Sequence, residues 1–198
     1  MASVNAPRGL VLARKEGSGS NSTGIDIIEW RPDVTVPSSG LGNLFTGDPL
    51  IAYASSTVVF QGISYVDSEG SQKFSKYWSS GTTATDIKIH ISRDPNQTYF
   101  IQADATVTAS TVQGMNGKPV NFPWATGTGS TKTGNSAYVM TAGSPTDAES
   151  NLRVIRRAPW DTGFGTSAAS GKTDAYPWYE VKLNNHFDNY VTTTVSTA

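Results

Sequence analysis

The feature that most constrains this chain is the imbalance between its β-branched residues and its leucines. Val, Ile and Thr together number 49, against 7 Leu. β-branched side chains are stiff at χ1 and sit better on a pleated surface than on a helix. Leu and charged residues, which amphipathic helices consume, are scarce, with Asp, Glu, Lys and Arg at only 16%. Nineteen Gly and ten Pro recur at short intervals and cut apolar runs before helices can grow. The reading is an all-β chain of 198 residues in one domain, a small β-barrel or β-sandwich with long loops and an extended N-terminal arm.

Several function classes drop out early. There is no cysteine, which excludes disulfides, thiol nucleophiles and thiolate metal sites. The only histidines, His90 and His186, do not make a multi-histidine metal site unless subunits share it. Basic and acidic residues balance at 15 and 16, against nucleic-acid binding by bulk charge. No apolar run is long enough for a transmembrane helix. The apolar core of the first twelve residues is only Gly9 to Leu12, too short for a signal peptide, so the chain is expected to stay in the cytoplasm of the cell that makes it. The sequons at Asn21 and Asn96 are then chance matches.

Along the chain, residues 1–24 read as an arm whose Gly17-Ser18-Gly19-Ser20 stretch has linker composition. It is either a disordered terminus or an arm that orders against a neighbour. Residues 25–190 read as the body and 191–198 as a tail, loose or added as a strand to a partner. Within the body, residues 57–66 and 71–78 form a hairpin about the turn Asp67-Ser68-Glu69-Gly70. Gly62 inside the first strand marks a bulge or a close backbone approach. Ile87, Ile89 and Ile91 alternate with Lys88, His90 and Ser92, giving one buried and one wet face. Further strands are expected at 98–103, 139–140, 152–156 and 179–184.

Motifs with chemical content are few. Gly127 to Gly134 resembles a phosphate-binding loop but carries Thr131 where the motif has Gly before Lys, so it reads as a flexible surface loop. His90 lies on the polar face of its strand and reads as solvated or hydrogen-bonded. Arg153, Arg156 and Arg157 either pair with acids across a subunit contact or line a wet strand face. Trp30, Trp78, Trp124, Trp160 and Trp178 read first as core, loop or interface anchors and second as sugar-stacking platforms. No catalytic, cofactor-binding or metal-binding residue is assigned, and no enzyme activity is expected.

The stretches Gly62 to Trp78, Asp94 to Asp104, Gly127 to Ser136, Leu152 to Ile155 and Val181 to His186 together resemble a family of tailed-phage head decoration, or cement, proteins encoded near the major capsid protein. The resemblance spans residues 41–187. Lys118 to Trp124 and Ala158 to Trp178 depart from the family pattern, being richer in Pro and aromatics, and the arm before Ile25 lies outside it. The resemblance implies a structural virion protein, assembled in the host cytoplasm. It would bind the outer surface of the major capsid protein shell and hold it against internal DNA pressure. A homotrimer, or alternatively a homodimer, is expected, with no cofactor, no direct nucleic acid and no membrane. The expected capsid-facing residues lie in the arm (Arg14, Lys15) and in the segment 30–45 (Trp30, Arg31, Leu44, Phe45). The alternatives are a phage tail, fibre or head-spike protein whose aromatic loops bind a host glycan, and, third, a β-sandwich hydrolase.

Overall fold

The computed structural model describes residues 5–15, 27–30, 42–52, 56–92, 94, 96–108, 116–120, 129–141, 151–161 and 173–184. In chain order the strands are β1 (Val11–Lys15), β2 (Ile27–Trp30), β3 (Leu44–Phe45), β4 (Pro49–Ala52), β5 (Ser56–Val66), β6 (Gln72–Ser75), β7 (Tyr77–Trp78), β8 (Thr85–Ser92), β9 (Gln97–Gln102), β10 (Val107–Thr108), β11 (Pro119–Val120), β12 (Leu152–Arg157), β13 (Thr173–Asp174) and β14 (Trp178–Leu183). Among the described residues there is no helix, and the fold is all-β as the composition requires. One sheet runs β1-β9-β14-β12-β11 and a second runs β2-β8-β5-β4, with β6 also paired to β5. Every strand pair in them is antiparallel. The short ladders β10-β13 and β3-β7 complete the pairing.

Strand β5 is the hinge of the architecture. Thr57, Val58, Val59 and Phe60 are all at most 2% exposed, so both faces of the strand are covered there. Val59 joins the core of the first sheet with Tyr99, Ile101, Tyr179 and Val181. Val58 and Phe60 join a second cluster with Ile63, Trp78, Ile89 and Ile91. A strand buried on both sides reads as an unbroken apolar run, and Val58-Val59-Phe60 is one. The pairing with β8 then slips between Phe60 and Gly62. This bulge inserts one residue and inverts the parity, so that Ile63, not Gly62, points into the second cluster. A Cβ on Gly62 would stand 2.8 Å from the Phe74 ring, so the bulge and the close approach coincide.

The hairpin between β5 and β6 closes as its turn residues dictate. Asp67 Oδ1 accepts the N–H groups of Glu69 and Ser71, and Gly70 takes a φ of 78°. The Ser71 amide, first among several hydrogen bonds, holds the Asp67 carboxyl below the usual carboxylate range.

Part of the N-terminal segment is built into the body. Leu10 is 1% exposed in the first core, its N–H donates to Gly47 O at 2.9 Å, and Val11 and Leu12 pair with Phe100 and Tyr99. Residues 16–24, the whole segment 31–41 and the tail 191–198 lie outside the described residues. Met140 makes only an isolated bridge to Ala103 where a short strand was expected.

The Gly-rich loop lies at the surface and is anchored to the body at Gly129, Gly134 and Ser136. Thr46 N–H is shared between the carbonyls of Lys76 and Gly134, and Ser136 N–H returns to Thr46 O. Gly129 lies directly on the Phe45 ring, with no room for a Cβ. Residues 129–133 of the loop are exposed and Gly134 is buried.

Candidate functional site: an aromatic groove on the first sheet

The alternation along β9 and β14 sends Tyr99, Ile101, Tyr179 and Val181 into the core. The opposite face carries Thr98, Phe100, Gln102, Trp178 and Glu180. Polar residues at this parity read as solvent-facing, yet Thr98, Gln102 and Glu180 are each 0% exposed. They are satisfied internally. Thr98 Oγ1 donates to Glu180 Oε1 at 2.9 Å, and Arg156 Nε donates to Glu180 Oε2 at 2.6 Å. A buried carboxylate is tolerated only with such partners. Arg157 similarly reaches Asp161 Oδ1 at 2.8 Å. Two of the three clustered arginines thus pair with acids of their own chain, while Arg153 is exposed.

Beside this polar layer opens a groove of about 370 Å³ lined by Ala6, Arg8, Val11, Phe100, Trp160 and Trp178. Its parts come from four places in the chain and are tied by two buried polar side chains. Gln102 Oε1 accepts the Ala6 N–H at 3.0 Å, and Gln102 Nε2 donates to Tyr176 O at 3.0 Å, so one side chain fixes both the N-terminal segment and the approach to β14. Tyr176 is held at φ 51°, a conformation that a non-glycine residue keeps only when its surroundings demand it. Asp161 performs the second tie. Its Oδ2 accepts the Trp178 N–H at 2.6 Å, and the turn is closed by Ala158 N–H to Trp178 O and Asp161 N–H to Ala158 O. Trp160 therefore stands on a braced turn. Its ring meets Phe100 edge-on with centroids 4.1 Å apart, and the residue is 56% exposed. The result is an indole held in place with much of its surface in water.

A second, more polar cleft of about 320 Å³ lies on the outer face of the second sheet. His90 Nε2 and Ser64 Oγ are 3.0 Å apart there, and the Phe74 ring meets the imidazole edge-on at 5.4 Å. Lys88 pairs with Asp86 at 3.5 Å and Lys73 with Asp67 at 3.4 Å on its rim. His90 is thus a hydrogen-bonded strand residue. Among the described residues no three His, Asp or Glu side chains gather as a metal site would require.

Asp48 is the buried acid with the clearest electrostatic signature. It is 3% exposed, Oδ2 accepts the Phe45 N–H at 2.8 Å, and Oδ1 has no hydrogen-bond partner among the described residues. Burial pushes its pKa up to about 6, and the Ser136 hydroxyl and the Phe45 amide pull it back only in part. Burial likewise raises the phenols of Tyr99 and Tyr179.

Of the residues expected to face a capsid, Arg14 and Lys15 lie on β1 and Trp30 on β2, each the outermost strand of its sheet among the described residues. Arg31 lies outside the described residues. Leu44 and Phe45 are interior, 6% and 3% exposed, Leu44 in the second cluster and Phe45 beneath Gly129 and stacked on Tyr77. Arg8 and Phe100 of the groove carry no motif. The one sequence signal for Phe100 is its parity, a large aromatic at a position between the core residues Tyr99 and Ile101. Comparisons with protein-family models, curated proteins and solved structures return no match.

Proposed function

We propose that this chain is a structural virion protein, a head decoration or cement protein that binds the outside of a major capsid protein shell. The observation that carries the reading is the position of Arg14, Lys15 and Trp30 on β1 and β2, the edge strands of the two sheets among the described residues. An edge strand offers unpaired backbone groups to a neighbouring chain, and a cement protein works by crossing such boundaries. The resemblance supports it as well, because its stretches fall on β5 to β7, β9, β12, β14 and the loop over Phe45, the framework of the molecule. Many weak copies on one shell would act through multivalency. The proposed partners are the major capsid protein and further copies of this chain, as a trimer or a dimer.

A second reading, a tail, fibre or head-spike protein that binds a host glycan, is favoured by the aromatic groove. Counting copies in purified particles separates the two. Decoration predicts a number comparable with the major capsid protein, whereas a tail or fibre part is present in far fewer copies.

A further inference from the structure

We propose that the groove between Trp160, Phe100, Trp178 and Arg8 is a binding site for an acidic sugar ring, such as a uronic acid unit of a polysaccharide. The inference stands on the groove alone and goes beyond the role in the shell. Sugar rings present apolar C–H faces that pack on aromatic planes, with hydroxyls left at the rim, and an exposed indole is the side chain best shaped for this contact. Trp160 is such an indole. Its backbone is pinned through Asp161 to β14, and its ring is propped by Phe100. Preorganisation of this kind lowers the entropy lost on binding.

Size and charge select the ligand. A groove of about 370 Å³ lies at the small end of ligand sites, with room for a pyranose ring and part of a neighbour. A protein partner is less well matched. Stable protein interfaces bury about 800 Å² on each side, and a large aromatic supplies about 150–250 Å². The exposed large apolar residues among those described are Val11, Trp160 and Phe74, and Phe74 lies on the other sheet. Arg8 is exposed and is the one charged side chain among the described residues lining the groove. A guanidinium pairs in bidentate fashion with a carboxylate, which favours a uronate over a neutral hexose. The acid of the same sheet face, Glu180, is already neutralised by Arg156 and does not oppose an anion.

The test uses the full chain, a galacturonic acid trisaccharide and a neutral galactose trisaccharide, with binding read by calorimetry and tryptophan fluorescence. The uronate is expected to bind saturably with a Kd of about 1 mM or tighter, and more tightly than the neutral sugar. Trp160→Ala, at an exposed position, should weaken uronate binding at least about tenfold with an unchanged melting curve. Arg8→Gln should abolish the preference for the uronate while neutral-sugar binding persists. The proposal is overturned by no saturable uronate binding, by full binding in Trp160→Ala, or by an undiminished preference in Arg8→Gln. It also falls if neither sugar binds while Trp160→Ala abolishes attachment to purified heads, which would make the groove a protein contact. Copy number in particles is a separate measurement, so failure here leaves the decoration reading intact.

Discussion

Asp48 and Phe45 are joined by a hydrogen bond of 2.8 Å from the Phe45 amide to a carboxylate that is 3% exposed. The same short turn is fastened to β5, because Gly47 N–H donates to Phe60 O and Phe60 N–H donates to Asp48 O. A buried acid thus sits where β3, β5 and the loop around Ser136 converge.

The pH dependence follows from the direction of its shift. The folded state holds the Asp48 proton more tightly than the unfolded state, with pKa about 6 against 3.8. Stability from this group is greatest below the unfolded value, falls as pH rises toward about 6, and is flat above. The full loss is on the order of 3 kcal/mol at most. Asp48→Asn keeps an acceptor for the Phe45 amide and removes the charge. Urea unfolding at pH 7 should show the variant more stable by about 1–2 kcal/mol, with little difference near pH 4. Equal destabilisation at both pH values would contradict the assignment.

Two glycines make a matched comparison. At Gly129 an added methyl runs into the buried Phe45 ring, which has nowhere to go. At Gly62 it meets the ring of Phe74, which is 64% exposed and free to swing, although Ser75 O also lies at 3.1 Å. Gly129→Ala should therefore cost about 1–3 kcal/mol and Gly62→Ala about 1 kcal/mol or less. The thermal midpoints of the two single variants decide the order. Phe45→Leu added to Gly129→Ala should recover part of the loss, and a purely additive double variant would count against the overlap.

Breaking the Glu180 pair from either side tests the buried polar layer. Arg156→Ala takes the cationic partner from a fully buried carboxylate that Thr98 still bonds and should cost about 2–3 kcal/mol, discounted from the usual range because the Arg156 side chain is 45% exposed. Glu180→Gln removes the charge and keeps an acceptor, so its cost should be smaller, about 1 kcal/mol. Chemical denaturation of both variants at pH 7 measures the difference, and a larger loss in Glu180→Gln would reverse the argument.

The N-terminal segment gives a test of where the body begins. Leu10→Ala should cost about 2–4 kcal/mol, the range for a large-to-small change in a packed core. Deletion of residues 1–15 should lower the melting temperature further, since it also strips β1 from β9. A truncated chain that melts like the full one would show that the segment contributes nothing to the fold.

Much of the framework was legible because local chemistry and tertiary structure agree there. Asp67 and Gly70 specify the hairpin turn, Ile87, Ile89 and Ile91 mark one face of β8, and Gly62 announces the bulge. Polarity was a poorer guide to exposure. Glu180 and Thr98 alternate with core residues and look solvated, but they bury together because each satisfies the other. The 129–136 loop looked loose because its glycines suit flexible linkers, whereas Gly129 is small because Phe45 lies on it. The groove was not legible at all. Phe100 and Trp160 meet only because β9 pairs with β14 and the Ala158–Asp161 turn folds back on that strand, and strand order is a global property that no local spacing encodes.

The most direct test of the proposed role is quantitative protein analysis of purified virus heads, combined with a particle reconstruction. The account predicts this chain on the outer surface in a copy number comparable with the major capsid protein, with β1 or β2 at the contact. Heads that lack the chain, or that carry it in only a handful of copies at the tail, would contradict it.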